Sequence, residues 1–255
     1  MSTSGVRQGD VLSPTLFALF VNDLAINIKD MHLGIPLTNR DVSILLYADD
    51  IVILAENEEN LQHMIRYMHK WCNQWRLKIN HAKTNVMHFR NNRKPRTSFR
   101  FTYGNVPLDI VERYKYLGVY FNEHLSFAKS ADILAESSGR ALGGIIGKFK
   151  DVKNVTYDIF LKLFQTGVIP IMDYCAAVWG FSDYNVIDVV QNRAMRLFLG
   201  ANKFPPTHTL YGDLGWVMPK YRRWNQIIRL WKRFATIYDG RWTNYKTNHF
   251  YGIKG

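Results

Sequence analysis

Two adjacent carboxylates, Asp49 and Asp50, follow Tyr47-Ala48 and stand between the apolar runs Ile44-Leu45-Leu46 and Ile51-Val52-Ile53-Leu54. Two short apolar runs around a polar tip read as a β-hairpin, so both carboxylates are expected at the tip of a buried hairpin. Charge set against that much apolar sequence is costly unless metal ions, basic side chains or water compensate it. Paired hard oxygen donors suit two Mg²⁺ ions, with Mn²⁺ as a substitute. The chemistry would be two-metal phosphoryl transfer, in which one ion activates an attacking hydroxyl and the other steadies departing pyrophosphate. An isolated Asp-Asp would instead cap an exposed turn. The flanking apolar runs and a second motif upstream favour Asp49 and Asp50 as metal ligands.

The elements around the pair follow from local signals. Gly5-Val6-Arg7-Gln8-Gly9-Asp10 is a polar, glycine-bearing loop leading to Ser13 and Pro14, which suit a helix cap and first turn. Leu16, Phe17, Leu19, Phe20, Val21 and Leu24 give that helix a broad apolar face fit to lie under a sheet. Asn57-Glu58-Glu59 opens a second helix with Leu61, Met64, Ile65, Met68, Trp71, Cys72 and Trp75 on one face. Short strands are expected at 77–80 and 86–89 around a turn carrying Lys83. A hairpin is expected over 99–103 and 106–110, turned by Gly104-Asn105, and then an aromatic strand over 114–121. From about Ala131 the pattern is helical, strongest at 131–149, 155–178, 186–199 and 219–238, with Pro170 breaking the second of these. Strands followed by helices give an α+β class with an all-α module behind it, the two dividing at 127/128.

The 33 Lys and Arg outnumber the 21 Asp and Glu, for a net charge of +12. The excess sits late: residues 1–139 carry +2 and residues 140–255 carry +10. A polyanion, nucleic acid first, is the partner such a field suits. Trp216, Trp224, Trp231 and Trp242 interleave with Arg222, Arg223, Arg229, Lys232, Arg233 and Arg241. Helical spacing of Trp224, Ile227, Ile228 and Trp231 assigns the tryptophans to a core face and leaves the arginines for phosphates. Cys72 and Cys175 make no metal or disulfide pattern. No run reaches the length of a membrane span and no leader is evident, so the expectation is a soluble intracellular protein without a membrane partner. Nucleus and cytoplasm are not distinguished.

In this order, Gly5-Val6-Arg7-Gln8-Gly9-Asp10-Val11-Leu12-Ser13-Pro14, Tyr47-Ala48-Asp49-Asp50, Leu77-Lys78-Ile79-Asn80, Lys83-Thr84 and Tyr116-Leu117-Gly118-Val119 resemble a reverse transcriptase of non-LTR (LINE-like) retrotransposons. The resemblance runs from Gly5 to about Phe127. It extends more loosely over Ile169-Pro170-Ile171-Met172-Asp173-Tyr174 and Gln191-Asn192-Arg193-Ala194. It implies RNA-directed DNA synthesis on an RNA template from a DNA primer with deoxynucleoside triphosphates. The fold implied is a partial polymerase palm, an antiparallel sheet with packed helices over 1–127, followed by a thumb-like helical region over 128–255. By the same resemblance Arg7, Gln8, Gly9 and Tyr47 would contact template and incoming nucleotide, and Asp49 and Asp50 would hold metal. Lys83 would act on departing pyrophosphate as a catalytic residue, although a solvated turn lysine fits the sequence nearly as well. Tyr116, Leu117 and Gly118 would resemble the primer grip.

Members of the family place a further metal-binding aspartate and a fingers region upstream of the Arg-Gln-Gly-Asp loop, and this chain begins with Met1 four residues before Gly5. The expectation is therefore little or no polymerase activity from the chain alone, and an exposed hydrophobic edge on the Asp49-Asp50 hairpin. The alternative is a non-catalytic nucleic-acid-binding relic. Asp10 and Asp41 are poor substitutes for the further ligand, one lying in the template-side loop and the other at the far end of the strand entering Tyr47.

Overall fold

Pro14 has no amide hydrogen to lose and a φ already suited to a helix, and it sits in the first turn of α1 (Ser13–Phe20). The computed structural model describes residues 11–37, 40–149 and 155–236. Ser13 lies inside α1 rather than capping it, and Leu12 takes the cap position. A break at Val21 separates α1 from α2 (Asn22–Asp30). The single apolar face expected over 16–24 is thereby divided: Leu24, Ala25 and Ile28 of α2 are buried, while Leu16 and Leu19 of α1 are exposed. A break resets the helical phase, so one stripe in sequence becomes two directions in space.

The chain separates into two compact units, Met1–Glu112 and Arg113–Gly255. In the first, β1 (Ile35–Leu37) pairs with β2 (Arg40–Val42), and β3 (Ile44–Tyr47) pairs with β4 (Asp50–Ile53), both antiparallel. α3 (Glu58–Gln74) starts as its sequence dictates: Asn57 Oδ1 accepts from the Asn60 amide at 2.9 Å, and Glu58 and Glu59 lie in the positive first turn. Met64, Ile65, Trp71 and Cys72 of α3 join Leu24, Ile28 and Ile44 in the core. Asp23 Oδ2 accepts from Trp71 Nε1 at 3.0 Å, tying α2 to α3. Trp75, expected on that face, is half exposed and lies edge-on to Phe20.

The strands expected at 77–80 and 86–89 do not form. Arg76 turns to φ 54° and Leu77 donates to Cys72 O at 2.8 Å, so the chain after α3 is consumed in closing that helix. A 3-10 turn over His81–Lys83 follows, and Val86 makes a single parallel bridge to Ile110. The expected hairpin beyond it shrinks to β5 (Thr102–Tyr103) and β6 (Val106–Pro107), with Gly104 at φ 60° in the turn. Buried Gln62 of α3 donates to Thr102 O and accepts from Thr102 N, each at 2.9 Å. Its amide stands in for a neighbouring strand.

The second unit opens with β7 (Arg113–Tyr116) and β8 (Val119–Asn122), followed by α4 (Ala128–Phe149). Then come α5 (Tyr157–Gly167), α6 (Ile169–Met172), α7 (Ala176–Trp179), α8 (Asn185–Phe198), α9 (Thr207–Leu214) and α10 (Pro219–Thr236). Pro170 falls in the first turn of α6, where the helical pattern was expected to break. α9 lies within the region read as helical but outside its four strongest spans. Leu142, Phe160, Phe164, Met172, Trp179 and Ile187 form the core, with Trp216 stacked on Phe164 at 4.7 Å. The β7–β8 hairpin belongs with these helices: Val119 is buried among them, and Ser130 Oγ of α4 bonds both the amide and the carbonyl of Tyr120. The observed division thus falls at 112/113, ahead of the expected 127/128. The fold is α+β, with four two-stranded antiparallel sheets among the described residues.

Candidate functional site

β3 and β4 pair in the register Ile44 with Ile53, Leu45 with Val52, Leu46 with Ile51 and Tyr47 with Asp50. Ala48 and Asp49 are the two residues of the loop, and Ala48 takes φ 50°. Such tight loops match the twist of antiparallel strands and fix the register. Ile51 and Ile53 pack against the core of the first unit. Side chains alternate along a strand, so Asp50 and its partner Tyr47 lie on the opposite, outer face. Asp49 and Asp50 are both exposed, and Tyr47 is 61% exposed.

The hairpin is less buried than its sequence suggested. Ile44 is buried, but Leu45 and Leu46 are exposed at 40% and 37%. No third strand joins this sheet among the described residues. The carboxylates therefore reach water, and burial gives them no need of a compensating cation. Their fit to a divalent ion rests on donor chemistry alone. Mg²⁺ keeps several waters and is held through one or two carboxylates plus substrate phosphates, and two adjacent hard oxygen donors meet that requirement. Among the described residues no third acid, histidine or cysteine gathers with them into a metal-binding group.

Lys83 is exposed at the end of the 3-10 turn, where its amide bonds Asn80 O at 3.0 Å. Arg7, Gln8 and Gly9 lie outside the described residues, as does Asp10. Asp41 is engaged elsewhere: its carboxylate faces His32 Nδ1 at 3.3 Å and accepts from the Gly34 amide at 3.2 Å.

Tyr116, Leu117 and Gly118 form the tip of β7–β8, in the second unit. Leu117 and Gly118 have φ of 47° and 83°, the pair of positive values that a type I′ loop requires. Tyr174 OH donates to Leu117 O at 3.0 Å, and a Cβ on Gly118 would come within 2.9 Å of the Tyr174 ring. The glycine thus meets two demands, one of backbone angle and one of space.

Around α6 to α10 the structure gathers polar side chains whose sequence separation gave no sign of contact. Arg222 Nε donates to Asp173 Oδ2 at 2.7 Å, and its Nη1 reaches Gln191 Oε1 and Val217 O. Gln191 Nε2 also donates to Val217 O at 2.8 Å. Arg223 is fully buried over the Trp179 ring, 4.0 Å from Asp188 Oδ1, with its Nε and Nη1 unbonded. Burial raises the Asp188 carboxyl above its ordinary range, with Arg223 pulling the other way. These two arginines, expected at phosphates, are structural. Trp224 and Trp231, expected in the core, are 45% and 44% exposed. Trp242 and Arg241 lie outside the described residues.

Residues 1–121 match the family model described as reverse transcriptase (RNA-dependent DNA polymerase). This segment is thus similar to reverse transcriptases. The chain is 29% identical over 220 residues to the probable RNA-directed DNA polymerase from transposon BS of Drosophila melanogaster, covering 83% of this chain and 24% of that protein. It is 27% identical over the same length to the RNA-directed DNA polymerase from mobile element jockey of Drosophila funebris, covering 83% of this chain and 23% of that protein. Over 128 residues it is 31% identical to the retrovirus-related Pol polyprotein from type-1 retrotransposable element R2 of Nasonia vitripennis, covering 47% and 12%. These relatives come from transposons, mobile elements and a type-1 retrotransposable element. The chain spans about a quarter of the length of the first two. Among the described residues no helix is long and apolar enough to cross a membrane.

Proposed function

We propose that this chain is the part of an RNA-directed DNA polymerase that carries its metal-binding carboxylate pair, acting in the whole protein to extend a DNA primer on an RNA template. The observation that carries the reading is the β3–β4 tip, which holds Asp49 and Asp50 side by side in solvent within the segment matched to reverse transcriptases. Asp49 and Asp50 hold divalent metal, Mg²⁺ or Mn²⁺, which when bound supplies charge stabilisation to the attacking and leaving oxygens. The short loop fixes the backbone positions of the two residues, and positioning of this kind supplies most of the catalysis in phosphoryl transfer.

Tyr47, on the same face as Asp50, offers its ring to the template or the incoming deoxynucleotide, and Arg7, Gln8 and Gly9 complete that contact. Lys83 offers a cation to the departing pyrophosphate. Tyr116, Leu117 and Gly118 act as the primer grip, with Tyr174 stiffening the loop through Leu117 O. Residues 1–127, which run on into the β7–β8 hairpin of the second unit, serve as palm, and 128–255 as thumb and connection.

Mn²⁺ titration followed by nuclear magnetic resonance tests the metal site without requiring turnover. Paramagnetic broadening centred on the amides of Ala48, Asp49 and Asp50, and lost in the Asp49→Ala, Asp50→Ala double variant, supports the reading. Broadening that is absent, or unchanged in the variant, overturns it. In the longer protein, the same double substitution should abolish primer extension on an RNA template.

A further inference from the structure

α10 carries six cations, Lys220, Arg222, Arg223, Arg229, Lys232 and Arg233, and no acidic residue. Its inward side is set by Pro219 and Arg223, both buried, with Gln226, Ile227 and Leu230 half-buried beside them. At about 100° per residue, Tyr221, Trp224, Ile228 and Trp231 all fall within roughly 80° of one another on a flank turned away from that side. They are 58%, 45%, 45% and 44% exposed. The neighbouring strip of helix surface bears Arg229, Lys232 and Arg233, whose side chains have no partner among the described residues. The other three cations are engaged: Lys220 with Asp183, Arg222 with Asp173, and Arg223 by burial over Trp179.

We infer that this flank of α10 is a binding site for single-stranded nucleic acid, with bases stacked on Tyr221, Trp224 and Trp231 and phosphates held by Arg229, Lys232 and Arg233. The inference rests on the proposed nucleic-acid substrate and adds a site for it far along the chain from the carboxylate pair. Trp224 and Trp231 are seven residues apart, about 10 Å along the axis at 1.5 Å per residue, which spans roughly three base steps of a strand rising 3.4 Å per nucleotide. Charge decides the occupant. A second copy of the helix would set cation against cation, whereas a phosphate chain supplies the anions that the strip lacks and presents a flat face at every base.

Anisotropy of a labelled oligothymidylate provides the test, measured across a salt series for the chain and its variants. Trp224→Ala/Trp231→Ala should weaken binding at least about tenfold at fixed salt, because two bases lose the faces they stack on, while leaving the salt slope unchanged. Arg229→Gln/Lys232→Gln/Arg233→Gln should reduce the slope by roughly 2, at about 0.7 per phosphate for single strands. An abasic strand of equal length should bind the native chain no better than the base-bearing strand binds the double alanine variant. Trp224→Phe/Trp231→Phe keeps aromatic faces and should restore most of the affinity, which separates stacking from misfolding.

Equal binding by the native chain and the alanine variant, or full affinity for the abasic strand, overturns the inference. So does a stripe that captures anionic vesicles while oligonucleotide binding ignores the tryptophans, which would make it a lipid surface. Stripe-dependent binding with a metal-insensitive β3–β4 tip would refute the catalytic reading alone. A metal-binding tip with stripe-independent binding would refute this inference alone.

Discussion

Removing the Asp173 carboxylate should loosen the second unit by about 2–3 kcal/mol, and removing its partner should cost more. Asp173 has a side chain only 3% exposed, and it receives Arg222 Nε at 2.7 Å with Nη2 at the 3.5 Å limit. Breaking a buried ion pair from one side typically costs about 3–5 kcal/mol, since the surviving charge is left uncompensated. Asp173→Ala falls below that range. Arg222 is 17% exposed and keeps Gln191 Oε1 and Val217 O as acceptors, so the stranded guanidinium retains partners and some water. Arg222→Met strands the more deeply buried member and should cost about 3–5 kcal/mol. In a chain of this size each kcal/mol moves the midpoint by roughly 2–4 °C, so Asp173→Ala should melt roughly 5–10 °C lower.

Hydrogen exchange in α6, α7 and α10 would localise the loss to the second unit, and the melting temperature would size it. Because the two side chains share one interaction, the double variant should lose less than the two single losses combined, by at least about 1.5 kcal/mol. A cost below about 0.5 kcal/mol for Asp173→Ala, the range of an ordinary surface change, would refute the reasoning. Additive single effects would refute it as well.

Two further outcomes follow from backbone and charge. Gly118→Ala should cost about 2–3 kcal/mol, more than Gly200→Ala at about 1–2 kcal/mol: both adopt positive φ, but only at Gly118 would the new Cβ meet a ring, that of Tyr174. Urea unfolding of the two variants would show it, and equal costs would remove the ring from the account. Asp188, raised above its ordinary 3.8 by burial, holds its proton more tightly folded than unfolded. Stability from this group is therefore greatest at low pH and falls as pH rises from about 3.8 through the raised folded value. The stability of the native chain minus that of Asp188→Asn should accordingly decline across that window. Melting curves from pH 3 to pH 8, at roughly unit intervals, would check it, and a flat difference would sink the assignment.

What the sequence determined by itself is what local chemistry decides. Asn57 capped α3 because a side-chain oxygen three residues from an amide needs no help from the rest of the chain. The helix broke just ahead of Pro170, which stands in the first turn of α6, and the polar tip between two apolar runs became the β3–β4 turn with Asp49 and Asp50 at its end. The motifs that resemble reverse transcriptases are likewise short and contiguous, and the family match over 1–121 agrees with them.

Tertiary structure alone decided which faces are covered. Periodicity places Trp224, Ile228 and Trp231 on one stripe of α10, but a stripe is buried only if another element arrives to cover it, and α7 and α8 pack against a different side. Arg223 went inward for the same reason, and Arg222 followed Asp173, 49 residues earlier in the chain. The hairpin bearing the carboxylates stands more exposed than its apolar runs foretold, because among the described residues no third strand lies beside it. Burial is a property of pairs of surfaces, and a sequence pattern specifies only one member of each pair.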